Sequence, residues 1–296
     1  MKKFIILIPV YNDWQSVFKL LNKIDLQVIK WDAKVSILIV NDASTDQRPE
    51  AQLNFKKIES VRVMNMKKNQ GHARCYASGL KFLSEKEDFD YLIPMDGDGE
   101  DRPEELDLLF KKSIENPSKT VTANRVKRSE GSFFKLMYLG HKFLTFVFTG
   151  KFIKFGNYSC LPRTDVDKLI KEPHIWSSFS GSITKVISER TSVPSIRGQR
   201  YFGPSKMNFF NLLLHSIAII SVFKKSVIFR SLLFLIFYLF FISNNFSFIT
   251  FFPAFVIIIF LFFVIKISLR ANIKQLNNYS ENIDSINSLS SSNHGQ

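Results

Sequence analysis

Apolar and polar positions follow one pattern up to about residue 205 and another beyond it. In the first part, short β-rich apolar runs at 3–10, 35–41, 61–64, 91–95 and 120–123 predict strands. Residues 14–24, 72–83 and 103–115 between them carry apolar side chains at helical spacing. Asp101 is placed to cap the last of these helices, with Pro103 in its first turn. This alternation predicts an α/β domain, a mainly parallel sheet with helices on both faces and ligands at the carboxyl ends of its strands. The opening Met-Lys-Lys and the run 4–10 imitate a secretory leader. The run is short, however, and breaks at Pro9 without a small-residue cleavage site, so a buried first strand fits better.

After residue 205 the apolar stretches lengthen. Residues 207–223 form an apolar helical run with Asn208, Asn211, His215 and Ser216 scattered through it and Lys224-Lys225 closing it, as in a helix lying along a membrane interface. Residues 226–243 are nearly all Ile, Leu and Phe apart from Arg230, and 246–265 hold no charge. A spanning helix needs about 20 apolar residues. The second run meets this, and the first does so if Arg230 snorkels to the headgroups. A hairpin buried in a soluble core is the competing reading, and two successive Phe-rich runs in a chain of 31 Phe weigh against it. Lys224, Lys225 and Arg230 precede the pair and Lys266, Arg270 and Lys274 follow it. The positive-inside rule then places both flanks, and the α/β domain with them, on the cytoplasmic side of an inner membrane. Residues from about 277 onward, rich in Ser and Asn, read as disordered. The expected division is 1–206 for the α/β domain, 207–225 for the interfacial amphipathic helix, 226–267 for two transmembrane helices and 268–296 for a cytoplasmic, largely disordered tail.

Charge sharpens this picture. The net charge is +14, and the basic excess begins only after residue 118. A basic region beside an apolar one suits anionic headgroups or phosphates better than a duplex. None of the usual recognition motifs occurs, so nucleic acid is not an expected partner. Cys75 and Cys160 show no metal spacing and read as free thiols rather than a disulfide.

Two acidic clusters follow predicted strands, Val40-Asn41-Asp42-Ala43-Ser44-Thr45-Asp46 and Met95-Asp96-Gly97-Asp98-Gly99-Glu100-Asp101. Two aspartates one residue apart at a strand end can bind a hard divalent cation through oxygen, and such a cation lets a diphosphate approach carboxylates and neutralises charge on the leaving group. Asp-x-Asp is common in ordinary turns; what distinguishes this one is its place between a strand and a capped helix.

In order, Ile8-Pro9-Val10-Tyr11-Asn12-Asp13, the Asp42 cluster, Asn69-Gln70-Gly71-His72-Ala73-Arg74 and Met95-Asp96-Gly97-Asp98 resemble the signature of family 2 glycosyltransferases. The nearest in pattern are the dolichol-phosphate mannose synthases and bacterial polyprenyl-phosphate glycosyltransferases. Arg200-Tyr201-Phe202-Gly203-Pro204-Ser205-Lys206 is similar to the Arg-x-x-Gly-x-Ser-Lys element of those enzymes. The resemblance covers about residues 3–270. It implies a Rossmann-like GT-A fold followed by the transmembrane hairpin. Pro9, Tyr11 and Asp13 would line the nucleotide pocket and Asp42 would bond the base. Asp98 would be the principal ligand of Mg²⁺ or Mn²⁺, with Asp96 nearer the ribose or the metal and Glu100 assisting. Arg125, Lys135, Arg200 and Lys206 match positions used for donor and acceptor phosphates. As residues alone, Tyr11 is also readable as a packed turn residue and Asp42 as a helix cap.

Departures are visible. The family usually has Glu where Asp13 stands and Asp-Asp-Gly where Asn41-Asp42-Ala43 stands, and the middle loop 156–163 is not the Phe-Arg-rich version. No Gln-x-x-Arg-Trp occurs, which argues against a processive polysaccharide synthase. The resemblance implies an inverting hexosyltransferase moving a sugar from a UDP- or GDP-linked donor to a polyprenyl or dolichyl phosphate at the cytoplasmic face. The alternative acceptor is a hydroxyl of a lipid-linked glycan or other glycolipid of the cell envelope, and intact Asp42, Asp96 and Asp98 argue against a non-catalytic membrane adaptor. Two spans are too few for a transport path, so product flipping would need self-association, as a homo-oligomer, or a separate flippase.

Overall fold

The computed structural model describes residues 1–49, 53–127, 132–204 and 209–291. Its centre is a mixed sheet in the order β7-β5-β6-β4-β1-β2-β3-β8. The strands are β1 (Lys2–Val10), β2 (Ala33–Asn41), β3 (Ile58–Met66), β4 (Tyr91–Pro94), β5 (Thr120–Lys127), β6 (Phe155–Pro162), β7 (Arg190–Ile196) and β8 (Ile283–Ser291). β1 lies parallel to β2 and β4, with Phe4 opposite both Val35 and Tyr91, and β3 continues the parallel set beside β2. β6 is antiparallel to β4 and β5, while β7 is parallel to β5.

Strand periodicity divides the core between two faces. Phe4, Ile6 and Ile8 of β1 pack with Val17, Leu20, Leu21 and Ile24 of α1 (Trp14–Val28) and with Leu106 and Leu109 of α3 (Leu106–Glu115). Ile5 and Leu7 face the other way, onto Cys75, Tyr76, Leu80 and Leu83 of α2 (His72–Lys86). With both faces covered, β1 is buried from Phe4 to Val10, and each such side chain contributes roughly 1.5–3 kcal/mol. α2 comes so close to β1 that a Cβ at Gly79 would stand 2.5 Å from Leu7 Cδ1, so only glycine fits there without a shift.

Several elements depart from expectation. The segment 156–163, anticipated as a loop, is mostly β6. Tyr158 and Cys160 enter one core and Leu161 the other, which an excursion into solvent would not do. α5 (Arg163–Leu169) and α6 (Phe179–Val186) follow it. Asp101 caps no helix: its Oδ2 accepts from the Asp96 backbone N–H at 3.0 Å, and the 3-10 turn Pro103–Glu105 begins without a side-chain cap, with Pro103 at its start as expected.

The apolar C-terminal part holds α7 (Phe209–Ser221), α8 (Lys224–Ile242) and α9 (Phe248–Ser268). Lys224 and Lys225 open α8 rather than closing α7. α8 and α9 are long and apolar enough to cross a membrane, and only 11% of each apolar window is buried against protein, unlike a hairpin in a soluble core. α4 (Ser132–Thr149), which the sequence pattern did not single out, joins them, and Phe148 packs with Ile217, Ile220, Val227 and Val264. Its Leu139, Phe143 and Phe146 are exposed. Arg230 is exposed and also makes a contact that the sequence pattern did not show. It donates to the Val147 carbonyl at 3.0 Å and lies against Gly150, a cation at the negative end of α4.

The tail expected to be disordered returns to the sheet. Within α10 (Ile273–Asn277) Gln275 accepts from Trp176 Nε1 at 3.0 Å, and just after it the Tyr279 hydroxyl donates to Glu85 at 3.0 Å. β8 then pairs antiparallel with β3 from Ser60–Ser291 to Met66–Ile283. Its Ser- and Asn-rich sequence has little strand propensity, but an unpaired edge at β3 supplies a complete row of backbone partners.

The loops after β1 and β2 are laced together. Asn12 donates its N–H to Ser44 Oγ at 3.0 Å and its Oδ1 accepts from Thr45 N at 2.8 Å, while Asp42 N donates to Val10 O at 2.9 Å. This holds Ala43 at φ 54, in the left-handed region that glycine tolerates best.

Two outcomes follow for stability. Deleting residues 283–296 should lower the thermal midpoint and promote aggregation through the bared β3 edge, as read by differential scanning fluorimetry and light scattering; a disordered tail would be lost silently. Ala43→Gly should stabilise the chain by about 0.5–1 kcal/mol, the relieved left-handed strain less the added chain entropy. A lowered midpoint would mean that Ala43 is not strained.

Candidate active site

The carboxyl ends of β1, β2 and β4 gather Asp13, Asp42, Asp96, Asp98, Glu100 and Asp101. Such a group repels itself unless its members find donors or cations, and the structure supplies them from several elements. Asp42 is 3% exposed, and its two oxygens accept from the Gln70 and Gly71 backbone N–H groups at 2.7 and 2.8 Å. The carboxylate expected to meet a base thus pins the loop entering α2. Pro9 lies in the buried stretch of β1, which Val10 ends just before Tyr11, 41% exposed past the strand end.

Asp96 stands two residues past the end of β4. Its Oδ1 accepts from His72 Nε2 at 2.9 Å, the Tyr76 hydroxyl at 2.8 Å and Asn157 Nδ2 at 3.3 Å. Asp98 Oδ1 accepts from Glu100 N at 3.0 Å. Its Oδ2 takes Arg200 Nη1 at 2.6 Å, and the other arm of the same guanidinium reaches Asp13 Oδ2 at 2.6 Å. Asp13 Oδ1 also accepts from Ser16 Oγ at 2.6 Å. Glu100 pairs with Arg197, and Asp101 Oδ1 lies 3.6 Å from Arg125.

Arg197 and Arg200 ride on a loop laid directly over the acidic turn. Gly198 N donates to Glu100 O at 2.8 Å and Tyr201 N to Asp98 O at 2.9 Å. The Tyr201 ring covers Gly99, where φ is +91 and an added Cβ would stand 2.7 Å from the ring. Lys19 and Lys23 approach the same ring at 5.0 and 5.1 Å from its centroid.

These surroundings pull the carboxyls apart in acidity. Burial pushes Asp98 up, and neighbouring Asp96 and Glu100 add to the shift, giving about 6 despite Arg200. Burial and Asp96 likewise raise Asp101 to about 7. Burial would raise Asp96 too, but the His72 ring and the bonds from His72 and Tyr76 outweigh it and hold Asp96 well below the ordinary range. His72, lowered by burial but opposed by Asp96, ends above its usual value.

Of the residues expected at phosphates, Arg125 and Arg200 are therefore engaged by carboxylates here. Lys206 and the side chain of Lys135 lie outside the described residues. Asp96, Asp98 and Glu100 do not converge: among the described residues, no three His, Cys, Asp or Glu side chains stand close enough to hold a metal ion. The donor set still suits a cation arriving with a diphosphate, since Mg²⁺ is commonly held by one or two carboxylates plus substrate phosphates. The guanidinium between Asp13 and Asp98 shows that positive charge is accommodated there. A cavity of about 860 Å³ opens beside the ends of β2 and β3, lined by Trp14, Asn41, Asp46, Arg48, Asn65 and Asn287. Another, of about 710 Å³, lies at the opposite end near Lys2 and Asp90, away from the strand ends that carry ligands in such folds.

Sequence reasoning missed His72, Tyr76 and Asn157 as partners of Asp96, and Arg197 and Tyr201 over the acidic turn. One signal was available: His72 and Tyr76 are one turn apart on a single helix.

Comparisons with known proteins bear on the family and the fold. The profile of glycosyl transferase family 2 matches residues 5–187. Undecaprenyl-phosphate 4-deoxy-4-formamido-L-arabinose transferase of Salmonella choleraesuis (strain SC-B67) is 26% identical over 219 residues, 72% of this chain. The Salmonella newport (strain SL254) protein of that name gives the same figures. The chain spans 64% of the length of these curated relatives. Glucosyl-3-phosphoglycerate synthase from Mycobacterium tuberculosis, solved with Mn²⁺, UDP-glucose and phosphoglyceric acid, superposes with a TM-score of 0.53 at 11% identity, covering 76% of this chain and 80% of that one. Mannosyl-3-phosphoglycerate synthase from Rubrobacter xylanophilus gives 0.53 at 13% identity over 75% and 72%. At such identities the structures speak for a shared GT-A fold alone, and the profile match, covering more than half of the sequence, makes this chain a member of glycosyl transferase family 2.

Proposed function

We propose that this chain transfers a sugar from a UDP- or GDP-linked donor to a polyprenyl phosphate, with inversion, at the cytoplasmic face of a membrane crossed by α8 and α9. The observation that carries the reading is Arg200. It stands on the loop between the sheet and the apolar helices, and it holds Asp13 and Asp98 together at 2.6 Å each. A cation so placed at the strand ends, on the chain's path toward lipid, can exchange its carboxylates for phosphate oxygens when a donor or a lipid phosphate arrives. The Salmonella relatives, by name, act on undecaprenyl phosphate.

In this reading residues 1–206, completed by β8, form the catalytic domain and α7 lies at the interface. Pro9, Tyr11 and Asp13 border the nucleotide, and Asp42 shapes its pocket by fixing Gln70 and Gly71. Asp96 and Asp98 would hold Mg²⁺ or Mn²⁺ with the diphosphate, Glu100 assisting from beside Arg197. A bound cation would offset the charge that builds on the leaving diphosphate. Arg125, Arg200, Lys135 and Lys206 would meet phosphates. A phosphate monoester is anionic at neutral pH and needs no base to attack the anomeric carbon, only positioning and charge screening, which a cationic acceptor side provides.

Three outcomes test this. Membranes supplied with radiolabelled nucleotide-sugars and polyprenyl phosphate should yield a lipid product cleaved by mild acid; an acid-stable product would point instead to a hydroxyl acceptor. Arg200→Gln should raise KM for donor or lipid phosphate by about tenfold or more, since a charged hydrogen bond is worth about 1.5–3 kcal/mol. Normal kinetics would remove Arg200 from the proposal. Asp98→Asn should abolish transfer without lowering the thermal midpoint at neutral pH. The fold raises this carboxyl above its unfolded value, so the stability it contributes when protonated is full below about pH 4 and lost as pH rises through about 6. A marked drop in midpoint would make Asp98 a structural residue.

A further inference from the structure

We infer that His72, Tyr76 and Asn157 are positioning residues that lock Asp96 and leave its Oδ2 as the oxygen offered to the donor's ribose-diphosphate moiety, directly or through a divalent cation. This deepens the glycosyltransferase reading and rests on it. A carboxylate has lone pairs on both oxygens, yet all three side-chain donors fall on Oδ1, at 2.8, 2.9 and 3.3 Å. The residue's own N–H is tied to Asp101 at 3.0 Å. Among the described residues no hydrogen bond falls on Oδ2. Asp98 presents the reverse, with Oδ1 on Glu100 N and Oδ2 on Arg200. Of the Asp-x-Asp pair, Asp96 therefore holds the open oxygen, although the sequence reading gave the leading role to Asp98.

The donors have neighbours of their own. Tyr76 is fully buried, its ring 5.6 Å from Phe179, and its hydroxyl must find a partner inside the protein. His72 packs edge-on against it at 4.7 Å. The start of α2, which carries His72, is fixed by the Asp42 carboxylate through Gln70 and Gly71. Asn157 comes from β6, on the other side of β4. The end of β2 is thus linked through α2 to the end of β4, so the orientation of Asp96 is set by three elements of the sheet layer.

A network of this kind could also do no more than staple α2 to the sheet. Ser84 near the far end of α2, whose hydroxyl donates to Asp167 at 2.7 Å, makes a control that loosens the helix without touching Asp96. The experiment measures UDP and GDP binding to the full-length chain in detergent by calorimetry, and Mn²⁺ uptake in the presence of nucleotide by electron paramagnetic resonance. Transfer activity of the parent chain serves as reference. Tyr76→Phe and His72→Leu should weaken nucleotide-dependent Mn²⁺ binding about 10–100-fold. His72→Gln, which keeps a donor, should recover most of it, and Ser84→Ala should leave it unchanged. If Tyr76→Phe and His72→Leu bind at parental affinity while the parent chain transfers sugar, the positioning role falls and the enzyme reading stands. If Ser84→Ala weakens binding as much as they do, the network is only a staple. A parent chain that binds neither nucleotide overturns both. Should His72→Leu fail to fold, Tyr76→Phe, which removes a single oxygen, decides the matter.

Discussion

The repulsion among Asp13, Asp96, Asp98, Glu100 and Asp101, brought together where β1 and β4 end, governs how this molecule is arranged. Parallel strands deliver their carboxyl ends to one side, and the turn after β4 adds charge to charge. The chain answers with cations from elsewhere, Arg200 and Arg197 from the loop after β7 and Arg125 from β5, and with hydrogen bonds from His72 and Tyr76 of α2. The loop 197–201 is held down by these pairs as much as by its two backbone bonds. A ligand carrying the opposite balance, phosphates with or without a divalent cation, would compete for the same partners. The acidic turn is thus both the attraction that closes the site and the means by which a substrate could open it.

Where apolar periodicity was strong, the fold could be read from sequence. The runs that became β1, β2 and β4 are buried on both faces, so their composition announces them. α1, α2 and α3 show the spacing of helices with one apolar face. β6 could not be read, because Gly156, Asn157 and Ser159 dilute its pattern and its strand character comes from lying between β4 and β5. β7 contains Pro194, tolerable beside a single neighbour. β8 was misread because its serines and asparagines describe solubility, whereas its structure is dictated by a vacant edge elsewhere in the chain.

At the candidate site, the carboxylates were legible as a pattern and their partners were not. Asp96 and Asp98 follow a strand in any reading of this sequence. That Arg200 would span Asp98 and Asp13 is a fact about residues 102 and 187 positions apart, and no local pattern contains it. Asp42 shows the same limit. Its neighbours made it look like a residue for a ligand, but burial turned both its oxygens toward backbone N–H groups that sequence spacing could not place.

Because β8 returns to β3, the apolar helices are an insertion in the sheet rather than an appendage to it. The side-chain bond between Asn65 and Ser285 closes a separation of 220 residues, most of the molecule. Contacts of such span form late, since the entropy of closing the loop must be met before they repay it. The last strand leaves the ribosome only after α8 and α9 have been made. Completion of the sheet therefore waits on wherever that hairpin has gone, and an enzyme whose helices were misplaced would carry an unfinished edge. The strand acts as a final seal, joining the maturation of the sheet layer to the fate of the apolar one.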